Sequence, residues 1–169
     1  MPHLDAAYRF ARWLSHAPGD ADDVVQEAML RAFRAFDDLR GSDVKAWLLA
    51  IVRNCHLTAA KQRQRRGFVP LPEEDDARDG YAMSAPTPNP EDDSIRRDEQ
   101  RTLERLIAAL PEEHRTVLML REIEELDYRQ IAQATNVPIG TVMSRLARSR
   151  AALKARWLQE AAGEPRAVR

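Results

Sequence analysis

The sequence predicts an all-α protein made of two small helical domains joined by a flexible, acidic, proline-rich linker, with a helix-turn-helix in the C-terminal domain. Apolar residues recur at the three- and four-residue spacing of amphipathic helices, and no stretch alternates as a β-strand would. Residues 67–94 contain five prolines among many acids and show no periodicity. Residues 126–150 hold two short helical patterns separated by a turn. We therefore expect domains at 1–66 and 95–160, with a tail at 161–169.

The composition is that of a globular protein and argues against several classes. Hydrophobic residues make up 44% of the 169 residues. No apolar run approaches the about 20 residues of a transmembrane helix, and the N-terminus lacks a signal-peptide pattern. We therefore predict a cytoplasmic protein without membrane insertion. Cys55 is the only cysteine and the four histidines are scattered, so we predict no disulfide, no metal and no cofactor.

Charge is segregated along the chain, although the formal net charge is only −1. Acidic segments at 20–38 and 73–99 alternate with basic segments at 40–66 and 145–156. Two basic blocks separated by an acidic one predict two places where nucleic acid binds.

The N-terminal domain is predicted to contain three or four helices. The first covers residues 4–15, and Pro18 and Gly19 separate it from a second helix over 20–36, capped by an aspartate. A third helix, over 44–66, becomes basic towards its end. The second helix begins with an acid-rich cluster, which the helix dipole alone could explain; it consists of Asp22, Asp23, Gln26 and Glu27. Its inward stripe is predicted to be Val25, Ala28, Met29, Ala32, Phe33 and Phe36.

In the C-terminal domain, a helix from Ser94 or Asp98 to residue 110 and a helix over 112–123 precede the helix-turn-helix. Asp127 and Gln130 form a capping box at the start of its first helix. Asn136 suits the turn because asparagine tolerates unusual backbone angles, and Pro138 suits the first turn of the second helix.

The second helix of the helix-turn-helix has an apolar and a small-residue face. The inward residues are predicted to be Val142, Leu146, Ser149 and Leu153. The outward residues are predicted to be Gly140, Thr141, Ser144, Ala147, Arg148 and Ala151. Small side chains let a helix approach a surface closely, and an arginine can fork onto guanine or a phosphate. This pattern predicts a helix that enters the major groove of DNA, with a solvated amphipathic helix pair as the alternative.

Four stretches, in this order, resemble the bacterial sigma factors of the extracytoplasmic-function (ECF) group of the sigma-70 family. They are DADDVVQEAMLRAFRAF, VKAWLLAIVRN, LIAALPEEHRTVLMLREIEELDYRQIAQ and PIGTVMSRLARSR. The resemblance implies a factor that binds core RNA polymerase and directs promoter-specific transcription initiation. It implies that the acid-rich cluster of the second helix binds the clamp helices of the polymerase β′ subunit.

The resemblance also implies two surfaces that bind promoter DNA. The loop over 37–44 and the helix after it resemble the region that captures unpaired bases of the minus-10 element. The expected contacts there are Trp47, Asn54, Lys61 and Arg63. The minus-35 element is expected to be read by Met143, Ser144, Ala147 and Arg148, with Thr141, Arg145 and Arg150 nearer the phosphates.

Three positions depart from the family pattern. Met143 stands where the family commonly carries lysine or arginine, Thr58 where an acid is usual, and Val44 where an aromatic residue is common. Because methionine cannot pair with a phosphate, we expect an unusual promoter preference. The resemblance further implies an anti-sigma factor as a partner.

Other classes of function explain less of the chain. The sequence has no glycine-rich phosphate loop, no nucleophile with a placed base and no carboxylates at metal spacing, so we predict that it is not an enzyme. The serious alternative is a stand-alone helix-turn-helix transcriptional regulator. It explains residues 126–150 equally well, but it leaves the acid-rich cluster, the basic segment at 40–66 and the linker without a purpose. An adaptor with a degenerate C-terminal domain is disfavoured by the basic stripe.

Overall fold

The computed structural model describes residues 3–15, 18–39, 43–65 and 90–163. Its elements are α1 (Leu4–Leu14), α2 (Pro18–Arg34), a 3-10 turn (Phe36–Asp38), α3 (Val44–Arg65), α4 (Pro90–Ala108), α5 (Glu112–Glu122), α6 (Tyr128–Thr135) and α7 (Ile139–Gly163). Within the described ranges every regular element is helical, which confirms the predicted all-α class. Most of the predicted linker, part of the loop over 37–44 and the end of the predicted tail lie outside these ranges.

Helices α1, α2 and α3 pack against one another and form the N-terminal lobe. Its core is built from large side chains such as Phe10 and Leu49, set between fully buried alanines such as Ala7 and Ala28. Small residues at the crossings allow the helices to approach closely, while the large ones remove most of the apolar area from water.

Helix α2 differs from its prediction at both ends. It begins at Pro18, so the aspartates expected to cap it lie inside its first turns. Val25 and Ala32 of the predicted inward stripe are buried, but Phe33 is 74% exposed and Phe36 is 58% exposed. The helix ends at Arg34, and only the narrow stripe that faces α1 and α3 is covered. Counting both phenylalanines as core was therefore wrong.

Helices α4 to α7 form the C-terminal lobe around a core that includes Val117, Leu120, Ile131 and Leu146. Helix α4 begins at Pro90, earlier than the predicted start, so residues 90–94 are helical although they were assigned to the linker. Helices α5 and α6 both pack on α7, which fixes the position of the helix-turn-helix.

The two lobes also pack against each other, with α1 on α5 and α3 on α6. Arg115 of α5 donates a hydrogen bond to the carbonyl of Leu14 at the end of α1, over 3.4 Å. The side-chain amide of Gln130 in α6 donates to Asp43, immediately before α3. This direct contact was not predicted, because the sequence pattern indicated only two domains and a linker.

Two further findings concern the described part of the chain. None of its helices is long and apolar enough to cross a membrane. It contains no group of three or more histidine, cysteine, aspartate or glutamate side chains placed to hold a metal ion.

Candidate nucleic-acid and protein interfaces

The helix-turn-helix has the capping and turn geometry that its sequence predicts. Asp127 accepts a hydrogen bond from the backbone N–H of Gln130 at 2.9 Å, and the Gln130 side chain accepts one from the backbone N–H of Asp127. Asn136 ends α6 in the left-handed conformation, with φ 53° and ψ 47°. The carbonyl of Pro138 accepts the first hydrogen bonds of α7. These local interactions set the angle between the two helices.

The inward face of α7 anchors it to the rest of the lobe. Val142, Leu146 and Ser149 are all at most 1% exposed. The hydroxyl oxygen of Ser149 lies 3.1 Å from the carbonyl oxygen of His114 in α5 and 2.7 Å from that of Arg145. A buried hydroxyl needs such a partner, and here the partner ties α7 to α5. The opposite face of α7 is consequently fixed in an outward orientation.

That outward face carries the residues predicted to contact bases. Met143, Ser144, Ala147 and Arg148 are all exposed, and Met143 has 52% of its surface accessible. Thr141 is half-buried, and its carbonyl accepts a hydrogen bond from the Ser144 hydroxyl. Among the described residues Arg148 forms no ion pair, so its guanidinium points to solvent with its donors available.

The two other arginines predicted near this face are held by carboxylates of α5. Arg145 pairs with Glu113, and Arg150 donates to Glu122 from both Nε at 3.1 Å and Nη2 at 2.6 Å. The hydrogen bond with Glu122 raises the pKa of the Arg150 guanidinium. Both arginines therefore lie at the edges of the outward face. The Arg150–Glu122 pair is exposed and can exchange one anion for another at little cost, whereas the side chain of Arg145 is only 18% exposed.

Three of the four residues predicted to contact the minus-10 element share one line on α3. Trp47, Asn54 and Lys61 are spaced by seven residues, which places them on the same side of the helix about 10 Å apart. Trp47 is half-buried against the core, whereas Asn54 and Lys61 are exposed. Sequence reasoning missed Arg65, which is exposed and continues this line at a spacing of four residues from Lys61.

Arg63 does not lie on that line. It pairs with Asp20 of α2, so it joins α2 to the end of α3 in this structure. The loop before α3 is described only in part, but Asp43 caps the helix by accepting a hydrogen bond from the backbone N–H of Ala46 at 3.0 Å.

The acid-rich cluster lies on the exposed side of α2. All four of its residues are exposed, namely Asp22, Asp23, Gln26 and Glu27. Asp22 accepts a hydrogen bond from the Tyr8 hydroxyl of α1, and Glu27 pairs with Arg31 one turn later at 2.7 Å. Asp23 and Gln26 point to solvent.

An apolar patch continues the same side of α2. Leu30 is 53% exposed, and Phe33 follows it at helical spacing from Gln26. Sequence reasoning missed this patch because it assigned Phe33 to the core. The available signal was that Gln26, Leu30 and Phe33 stand at i, i+4 and i+7, which puts them on one face.

Comparison with known families identifies both lobes. The family described as Sigma-70 region 2 matches residues 1–66, and the family described as Sigma-70, region 4 matches residues 100–153. The two matched ranges occur in the same order as the two predicted domains.

Individual relatives agree with the family matches. The ECF RNA polymerase sigma-E factor of Escherichia coli K12 is 37% identical over 139 residues, covering 80% of this chain and 72% of the relative. The ECF RNA polymerase sigma factor SigE of Mycolicibacterium smegmatis is 35% identical over 156 residues, covering 90% of this chain. The chain spans 57% of the length of the mycobacterial relative.

Two solved structures have a similar fold. The sigma factor RpoE of Bartonella quintana, crystallised with the anti-sigma factor NepR, gives a TM-score of 0.73 at 24% identity and covers 90% of this chain and 89% of RpoE. CnrH, solved with the cytosolic domain of CnrY, gives a TM-score of 0.61 at 24% identity and covers 94% of this chain and 83% of CnrH. The matches give no support to a stand-alone regulator. The chain belongs to the ECF group of the sigma-70 family of RNA polymerase sigma factors.

Proposed function

We propose that this chain binds core RNA polymerase and directs it to promoters by reading a minus-35 element as duplex and a minus-10 element as an opened strand. The observation that carries this proposal is the presence of both sigma-70 regions in one chain. A regulator with the same helix-turn-helix has no use for a second DNA-binding lobe. The chain recognises the promoter, and the polymerase performs the bond-forming chemistry.

The proposed polymerase contact is the exposed side of α2, where the acid-rich cluster faces the β′ clamp helices. The apolar patch of Leu30 and Phe33 extends this contact by one to two turns. A protein that shows such a patch to water usually buries it in an interface, where a charged rim around an apolar centre is the common arrangement. Asp23 and Gln26 are the best placed of the acid-rich cluster, because neither is engaged by another described side chain.

The proposed minus-35 contact is the outward face of α7 in the major groove. Arg148 has a free guanidinium at the centre of this face, where it is placed to donate two hydrogen bonds to one guanine. Met143 offers an apolar contact that suits the methyl group of thymine. Arg145 and Arg150 contact phosphates on either side once they exchange Glu113 and Glu122 for DNA.

The proposed minus-10 contact is the line of Trp47, Asn54 and Lys61 on α3. A single strand of DNA can bind to an aromatic ring, an amide and an ammonium group that lie in line. Its bases stack on the ring or hydrogen-bond to the amide, and its phosphates lie near the positive charges. Arg65 extends this line of side chains and is proposed to contact the phosphate backbone of the opened DNA strand. Arg63 joins this surface only if it leaves Asp20.

We also propose an anti-sigma protein as a partner and the cytoplasm as the location. Support for the partner comes from the related folds of RpoE and CnrH, whose structures contain NepR and a domain of CnrY respectively. The location follows from the proposed work, because promoter DNA and polymerase are cytoplasmic in bacteria.

A pair of binding assays tests the proposal. The purified chain is mixed with sigma-free bacterial core RNA polymerase and followed by size-exclusion chromatography, and its binding to duplex DNA is measured separately without polymerase. We expect co-migration with polymerase and weak binding to duplex DNA alone. Tight duplex binding without a polymerase complex would overturn the proposal and return the chain to the class of regulators.

A further inference from the structure

Glu124 is a charged side chain that is almost completely buried between the two lobes. It lies in the turn between α5 and α6 and is 1% exposed. Arg9 of α1 donates to both of its carboxylate oxygens, each at 3.1 Å. Lys45 of α3 lies 3.0 Å from Oε2 and also donates to the backbone carbonyl of Glu124 at 2.8 Å. One carboxylate of the C-terminal lobe is thus held by two cations of the N-terminal lobe.

The surrounding interface brings further charged groups of the two lobes close to one another. On the N-terminal side, burial lowers the pKa of Arg53 of α3; the nearby carboxylates Glu112 and Glu113 of α5 oppose that effect, and Arg145 of α7 adds to it. His56 of α3 lies 3.7 Å from Glu112. Arg9 and Lys45 therefore face a carboxylate of the C-terminal lobe, and Arg53 lies near two more, which is the complementarity expected of a specific interface.

A buried carboxylate depends strongly on its partners. Removing one partner of a buried pair leaves an uncompensated charge, which is much more costly than losing an exposed pair. Separation of the lobes returns these charged groups to water, but it breaks both ion pairs of Glu124 and the hydrogen bonds that Arg9 and Lys45 donate to it. The three side chains therefore stabilise the arrangement in which the two lobes are in contact, which we call the closed arrangement. We call Arg9, Lys45 and Glu124 the interlobe latch.

The closed arrangement is too small to read both promoter elements at once. Elements centred near positions −35 and −10 are about 85 Å apart at about 3.4 Å per base pair. A compact chain of this length has a radius of gyration of about 15 Å, which corresponds to a diameter of about 40 Å. The 24 residues from 66 to 89 allow a separation of up to about 80 Å.

We propose that the interlobe latch holds the free protein closed and has to open before the chain can engage both promoter elements on polymerase. This inference rests on the proposed function for its consequence, although the latch itself is a property of the free chain. The DNA-binding faces of α3 and α7 stay uncovered in the closed arrangement, since the line through Asn54 and the face around Arg148 are exposed. The latch therefore restricts the distance between the two faces and leaves each face accessible.

The test measures the distance between the lobes and the affinity for polymerase with one set of variants. Dyes are attached at the exposed positions Asp5→Cys in α1 and Gln159→Cys in α7, while the native Cys55 is buried. Glu124→Gln keeps the size of the side chain and removes its charge. We expect it to lower energy transfer between the dyes in the free protein and to bind core polymerase about tenfold more tightly, because binding no longer has to open the latch.

The matched control is Glu125→Gln, which makes the same chemical change at the next residue, where the side chain is exposed. It should change neither energy transfer nor affinity. Arg9→Gln and Lys45→Gln weaken the latch from the opposite lobe, so they should reproduce the opening even if Glu124→Gln fails to fold. Combining Arg9→Gln with Glu124→Gln should add little to either single change, because both remove the same interaction.

Unchanged energy transfer in the folded Glu124→Gln, Arg9→Gln and Lys45→Gln variants would overturn the latch. The same holds if Glu125→Gln opens the lobes as much as Glu124→Gln does. The energy-transfer measurement needs no polymerase, so it decides the latch even if the wild-type chain fails to bind polymerase. Failure of the wild-type chain to bind polymerase would count against the proposed function and not against the interlobe latch.

Discussion

The hydroxyl of Tyr8 donates a hydrogen bond to Asp22, which joins α1 to the acid-rich start of α2. Asp22 is therefore partly structural, whereas its neighbour Asp23 is exposed and free of such a contact among the described residues. The two aspartates are adjacent in sequence but differ in what a substitution does.

Charge reversal at these positions should separate docking from stability. We expect Asp23→Lys to weaken binding to core polymerase at least tenfold without changing the melting temperature, because the proposed docking surface loses an exposed acid. Asp22→Lys should weaken binding and also lower the melting temperature, because the Tyr8 hydroxyl loses its acceptor. Size-exclusion chromatography and thermal melts measure the two effects. Unaltered polymerase binding by Asp23→Lys would remove this face of α2 from the proposal.

Replacing Arg148 by alanine should weaken initiation at promoters that depend on a minus-35 element. A bidentate contact to guanine contributes about 1 to 3 kcal/mol of discrimination, so we expect a loss of about 5- to 150-fold in preference for the cognate sequence. Polymerase binding should be unchanged. The matched control is Arg101→Ala in α4, which removes the same charge from a side chain that is 76% exposed. Equal losses in both variants would indicate a general charge effect.

Met143 allows a test of promoter preference at a position where the chain departs from its family. We expect Met143→Lys to strengthen binding to non-cognate duplex DNA and to steepen the salt dependence by about one phosphate contact, because a cation replaces an apolar side chain. The sequence preference should shift away from thymine at the contacted position. Both expectations are tested by measuring binding to two duplexes that differ at this base, over a series of salt concentrations. An unchanged salt slope would mean that Met143 does not face DNA.

The capping box of α6 gives a prediction about stability. Asp127→Ala should lower the free energy of unfolding by about 1 kcal/mol, because the backbone N–H of Gln130 loses its acceptor. Asp127→Asn is the conservative variant and should recover most of the loss, because asparagine also caps well. Chemical denaturation checks both variants. A loss of the same size in Asp127→Asn would point to the negative charge rather than to the hydrogen bond.

Cys55 provides a probe of the N-terminal core. Burial raises the pKa of its thiol above the ordinary value. Because the thiolate is the reactive form, we expect negligible modification by thiol reagents near pH 8 in the folded protein and full modification after unfolding. Fast labelling without denaturant would show that the contact of α3 with α1 and α2 opens readily.

The helix-turn-helix was predictable because its signals are local. A capping box spans four residues, and Asn136 and Pro138 mark the turn within three, so neighbouring residues alone carry the information. The position of Phe33 was less predictable. Helical spacing defines which residues share a face, but which faces are covered depends on helices elsewhere in the chain.

The interlobe latch lay beyond the sequence pattern for a different reason. Arg9 and Glu124 are 115 positions apart, and Lys45 and Glu124 are 79 positions apart. No periodicity relates charges at such separations, and Glu124 is only one of several acids near the end of α5. Glu124 differs from the neighbouring acids because it is buried, and its burial depends on how the two lobes pack against each other.

The exposed patch of Leu30 and Phe33 also has a consequence for the protein outside its complexes. With a net charge of only −1, the free chain has little overall electrostatic repulsion to keep copies apart. An apolar patch on such a surface promotes self-association as concentration rises. The chain should therefore be most soluble when a partner covers α2, so co-expression with that partner is expected to raise the soluble yield.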